Sequence, residues 1–92
     1  MQLQLQRGKP VTDVAQYQEL TQFILDSVFG QEAATAAATM EDDRAVVRIT
    51  AAPENIGKIV GKGGRTISAI RSVVRAAGLR NQEKVFVEVG ED

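Results

Sequence analysis

The residues best suited to do chemistry lie together in the run Ile56-Gly57-Lys58-Ile59-Val60-Gly61-Lys62-Gly63-Gly64-Arg65-Thr66-Ile67. Glycine has no side chain to hold a phosphate away from the backbone, and the amides that open a helix point their N–H groups at whatever lies in front of it. Lys62 and Arg65 add full positive charges to those partial ones, so the run is an anion site in outline. Two nucleotide-binding patterns fail on it. A Walker-type loop counted from Gly57 requires glycine at position 62, where lysine stands, and has to follow a strand rather than a helix. The dinucleotide pattern counted from Gly61 and Gly63 requires a further glycine at position 66, where threonine stands. A free nucleotide is therefore not the expected ligand.

Other chemistries lack their usual residues. The chain has neither cysteine nor histidine, which removes disulfides, thiolate metal sites and the commonest general base. Glu41, Asp42 and Asp43 are adjacent in a turn, where they cannot all converge on one metal ion, and they read as solvated. With no recognisable pairing of carboxylates, no catalysis, metal or cofactor is expected. The formal charge of −1 conceals a segregation: residues 55–82 carry Lys58, Lys62, Arg65, Arg71, Arg75 and Arg80 and no acid, while the remainder holds five basic and twelve acidic residues. One face of the protein is thereby suited to a polyanion. A length of 92 residues encloses one core, and an apolar fraction of 43% with 25% charged residues is ordinary for a globular domain. No apolar run approaches the roughly 20 residues of a membrane span and no secretory signal is evident, so a cytoplasmic location is expected.

The glycine run needs two helices to hold it. Pro53 suits the first turn of a helix over residues 53–60 that Gly61 ends. A second helix begins near Gly64 or Arg65, with Ile67, Ile70, Val74 and Ala77 as its apolar stripe, Arg71 and Arg75 on its other side, and Gly78 as its terminus. Upstream, Asp13 with Gln16 forms a capping-box pattern. Tyr17, Leu20, Ile24 and Val28, with Phe23 beside them, predict a core-facing helix over residues 14–29 that Gly30 stops. Residues 45–51 read as a strand with Val47 and Ile49 on one face and Val46, Arg48 and Thr50 on the other. Residues 84–89 alternate Val85, Val87 and Val89 against Phe86 and Glu88 as a last strand, with Phe86 turned away from the helices. The alanine-rich residues 31–40 are ambiguous, because alanine favours a helix while strand 45–51 needs a hairpin partner; residues 32–40 are read as that partner. The order is α-β-β-α-α-β, an α+β domain over residues 13–92, preceded by residues 1–12 as a flexible tail.

Gly61-Lys62-Gly63-Gly64 between two helices, with Ile67 three residues on, resembles the KH module, whose G-x-x-G loop clamps the backbone of about four nucleotides of a single strand. The run from Ala52 to Ala77 is similar to the small bacterial single-KH family called KhpA, and the element order to the type II form of the domain. That resemblance implies a three-stranded sheet covered on one face by three helices, with the alanine stretch as a strand. It places Lys62 and Gly63 against an RNA backbone, with Gly61 and Gly64 shaping the turn. Lys58 and Arg65 flank it as phosphate contacts. Ile59 and Ile67, core residues like Ile56, Val60 and Ile70, become candidates for the apolar floor under the bases. Arg71 is an outlying contact and Arg75 a solvated residue. No aromatic residue lies within 55–82, so base stacking is sparse and recognition should be modest and sequence-tolerant. The resemblance further implies a cytoplasmic bacterial RNA regulator or chaperone linked to cell growth. Its partners would be single-stranded RNA and either a second copy or a larger KhpB-like protein, with no membrane and no small-molecule substrate. The competing reading is an adaptor that keeps the KH fold as a scaffold for protein contacts.

Overall fold

The computed structural model describes residues 13–92, so the tail expected at residues 1–12 lies outside the described residues. The central strand β2 (Arg44–Ala51) pairs antiparallel with β1 (Thr35–Glu41) on one side and parallel with β3 (Val85–Glu91) on the other. Along β2, Ala45, Val47, Ile49 and Ala51 are buried toward the helices while Arg44 and Arg48 are exposed, the period-two pattern of a sheet covered on one face. Parallel neighbours cannot be joined by a tight turn and require a long crossover. Here the crossover is α2 (Pro53–Val60), the glycine turn and α3 (Arg65–Arg80), which places the turn between two helices anchored on the sheet. With α1 (Ala15–Phe29) at the start, the order is the α-β-β-α-α-β of a type II KH domain, as expected.

Helix α1 buries a different stripe from the one its sequence advertises. Tyr17, Thr21 and Leu25 are its buried line, Leu20 and Ile24 pack at its flank, and Phe23 and Val28 stand 69% and 61% exposed. The polar Thr21 is tolerated there because its hydroxyl donates to the Tyr17 carbonyl at 2.8 Å, leaving a methyl group for the core. The capping box is replaced by a looser start. The Asp13 carboxylate accepts from the Ala15 amide at 3.1 Å, and the Gln16 side chain donates to the Asp13 carbonyl at 3.3 Å. The Tyr17 hydroxyl donates to the Glu83 carboxylate and accepts from Asn81, tying α1 to the connection between α3 and β3. Burial pushes that phenol above its ordinary value of 10.0; Asn81 opposes the shift and Glu83 adds to it.

The alanine stretch is a strand for a reason its composition conceals. Gln22 accepts from the Ala36 amide at 2.8 Å and donates to the Ala34 carbonyl at 3.0 Å, while Gln18 accepts from the Ala38 amide at 2.8 Å. Side chains of α1 thus satisfy the free edge of β1, and the small alanines let the helix come close enough. The strand starts at Thr35, three residues later than expected, and the turn into β2 is Asp42-Asp43, both with positive φ (50° and 63°), the sign pattern of a two-residue hairpin turn. Gly78 does not end α3, which continues to Arg80. It is buried, and a Cβ there would stand 2.6 Å from Val85 Cγ2 and 2.8 Å from the Glu83 carbonyl, so glycine is needed where helix and strand touch.

Candidate nucleic-acid interface

Both stems of the glycine turn are nailed to one core. Ile59 from α2 and Ile67 and Ile70 from α3 join Val47, Ile49, Val74, Val85 and Val87 in a single cluster. Burying a side chain the size of Ile59 contributes about 2 kcal/mol, so the ends of the turn are fixed while its middle is free. Gly61, at φ +80°, ends α2 with its amide donating to the Gly57 carbonyl at 2.9 Å, and the Gly64 amide donates to the Gly61 carbonyl at 3.0 Å. A Cβ on Gly61 would lie 2.2 Å from Thr66 Oγ1 and 2.9 Å from the Thr66 amide nitrogen, so only glycine allows α3 to start this close to the end of α2. Gly63 (φ +65°) and Gly64 (φ +77°) need glycine for their angles alone, because a Cβ on either would meet nothing within 4 Å.

This backbone leaves the amino end of α3 open. Gly64, its N-cap, offers no side chain to the amides of the first turn, and no acid stands in that turn. Among the described residues, the partial positive charge of a helix of 16 residues therefore meets neither a side-chain cap nor an acid in its first turn. Lys62 is the one loop residue with a side chain, and it is exposed, as are Gly63 and the flanking Lys58 and Arg65. Lys58 also lies in the last turn of α2, where a cation suits that helix's negative end. The array presents N–H groups, an ammonium and a guanidinium on one bend, which is the chemistry that holds a phosphate backbone.

Not all the expected contacts are at the surface. Ile59 is 0% exposed and Ile67 only 6%, because both are needed to anchor the stems, so neither can touch a base directly. The partly exposed apolar residues beside the turn are Ile56 and Val60, which the helical period sets on the outer flank of α2. Arg71 is half-buried and set apart from the turn, about 9 Å along α3 from Arg65 at the helical rise. Its Nε donates to the Val87 carbonyl on β3 at 3.0 Å. Arg75, read as solvated, lines the same cleft as Arg71, together with Arg44 and Phe86. The sequence held no signal for that grouping, because the pairing of Val46 with Phe86 across parallel strands brings Arg44 to the ring. Among the described residues no helix is long and apolar enough to cross a membrane.

The comparisons agree with this geometry. The family model described as the KH domain of KhpA/KhpB matches residues 18–89. The RNA-binding protein KhpA of Caldanaerobacter subterraneus subsp. tengcongensis is 43% identical over 44 residues, covering 48% of this chain and 59% of the relative. That of Chlamydia caviae is 47% identical over 47 residues (51% and 60%), and that of Bacillus subtilis 40% over 48 residues (52% and 59%). The chain thus spans about 60% of the length of the curated relatives it matches. From the α-β-β-α-α-β order, the glycine turn between α2 and α3 and a match that runs from α1 to β3, the chain belongs to the KhpA/KhpB family of KH domains.

Proposed function

We propose that this chain binds single-stranded RNA, seating the sugar-phosphate backbone on Gly61-Lys62-Gly63-Gly64 with Lys58 and Arg65 as flanking charges and Ile56 and Val60 beneath the bases. The observation that carries the reading is the uncapped amino end of α3, reached through two successive left-handed glycines and surrounded by cations without an acid in its first turn. The relatives' shared name, RNA-binding protein KhpA, supports the same ligand. Work in the cytoplasm as a regulator or chaperone of RNA, without catalysis, belongs to this reading. So does pairing with a second copy or a KhpB-like protein, in keeping with the family's double name.

Replacing Lys62 and Gly63 together by aspartate tests it. Lys62 is exposed and a Cβ on Gly63 meets nothing, so Lys62→Asp with Gly63→Asp, which strains only the positive φ of Gly63, should keep the fold and lower the unfolding midpoint by about 5 °C at most. Fluorescence anisotropy with a short single-stranded RNA should then show binding lost. For the parent protein the logarithm of affinity should fall against that of salt with a slope near −2 for about three phosphates. A flat salt response, or a double variant that binds as the parent does, would reject the loop as the seat. The adaptor reading draws on Phe86, 37% exposed on the open sheet face, and gains if a protein complex survives these changes while RNA is not retained by either form.

A further inference from the structure

The cations of α3 do not stop at the turn. Arg65, Ser68, Arg71 and Arg75 follow one another at three- and four-residue steps on one side of the helix, and Leu79, 74% exposed, continues the row. At the helical rise the row from Arg65 to Leu79 is about 21 Å long. It runs beside β3, the outer strand of the sheet, whose Val87 carbonyl already receives Arg71.

Two adjoining hollows open where the row meets that strand. The first, about 330 Å³, is lined by Arg71 and Arg75 of α3 and, from the hairpin, by Glu41, Asp42 and Arg44. Glu88, which also lines it, is held by Arg48 at 2.7 Å. The Arg44 guanidinium stacks 5.1 Å from the centre of the Phe86 ring. The second hollow, about 230 Å³, is lined by Leu79, Val85 and Phe86 together with Arg75 and Lys84. Its one acid, Glu83, already accepts the Tyr17 hydroxyl. Among the described residues neither Arg75 nor Lys84 forms an ion pair.

We propose that a single strand held at the glycine turn continues along this side of α3 and lays a further nucleotide in the second hollow. Its base lies on Leu79 and Phe86 and its phosphate between Arg75 and Lys84. The proposal rests on the RNA reading of the turn. An apolar lining with two cations beside it matches a nucleotide, which joins a flat weakly polar ring to a phosphate. The row of cations makes the hollow continuous with the turn. Glu41 and Asp42, at the hairpin end of the first hollow, repel phosphate, so the strand passes over Arg75 into the second.

The test compares two single-stranded RNAs, one of about four nucleotides, the span a KH loop accounts for, and one of about twice that length. Arg75→Ala with Leu79→Ala changes two exposed residues to the best helix former and should not disturb folding. The double variant should bind the longer RNA about tenfold more weakly and the shorter one unchanged. Its salt slope with the longer RNA should be shallower by about 0.7. Equal weakening at both lengths, or none at either, overturns the extended path. Lys62→Asp with Gly63→Asp should abolish binding of both RNAs; if it weakens neither, the turn does not hold RNA and the extension falls with it. If Arg75→Ala with Leu79→Ala releases a bound protein while both RNAs bind as before, the hollow docks a protein and the proposal is wrong.

Discussion

Two glycines of one turn are glycine for different reasons, and the difference is measurable. Gly61 combines a positive φ with a Cβ position 2.2 Å from Thr66 Oγ1, so Gly61→Ala has to move the start of α3. A cost of about 3 kcal/mol is expected. Gly63 has the angle without the crowding, and asparagine visits that angle readily, so Gly63→Asn should cost about 1 kcal/mol or less. Urea denaturation of the two variants should show that order; similar midpoints would mean that the contact with Thr66 is not what fixes the turn. The G-x-x-G spacing was legible in the chain, and so were Lys62 and Arg65 as its cations. Which isoleucines would surface was not, because Ile56, Ile59 and Ile67 are chemically alike and only the packing of two helix stems on β2 and β3 separates the partly exposed one from the two in the core.

At the scale of elements, α1 and β1 are held together by glutamines rather than by apolar contact alone. Gln22 makes three side-chain hydrogen bonds, to Asp26, to the Ala34 carbonyl and from the Ala36 amide. Gln22→Ala should therefore cost about 1–2 kcal/mol, mostly by leaving the Ala36 amide without a partner. Hydrogen exchange at Ala36 should quicken by more than the general loss of stability explains, and equal quickening across β2 would argue against a local latch. This arrangement shows why part of the fold could be read and part could not. The helices flanking the turn were marked by Pro53, Gly61 and a clean apolar period; α2 has the expected limits and α3 the expected start. The buried line of α1 was obscured because Thr21 counts as polar until its hydroxyl is seen bonded to the helix, whereas Phe23 counts as core until its exposure is seen. Gly78 carries the signature of a helix end, and only the approach of Val85 shows that it serves contact instead.

The molecule as a whole divides its charge as its topology divides its labour. Between Glu54 and Glu83, at its two ends, the crossover from β2 to β3 carries six cations and no acid, while most of the other acids lie on α1, at the hairpin tip and on the last strand. The one ion pair among the described residues, the exposed Arg48 with Glu88, lies on the open sheet face and contributes under about 1 kcal/mol, so electrostatics shape what the protein attracts more than how firmly it folds. Stability comes instead from the core that joins both stems of the turn to the sheet, which is why the turn can do without a side-chain cap on α3 at little risk to the fold. The most direct check on this account is to follow the backbone amide resonances of the full chain as a short single-stranded RNA is added. The largest shifts should fall on the amides of Gly63, Gly64, Arg65 and Thr66, at the turn and the start of α3; shifts concentrated on the open sheet face, with those four amides unmoved, would contradict it.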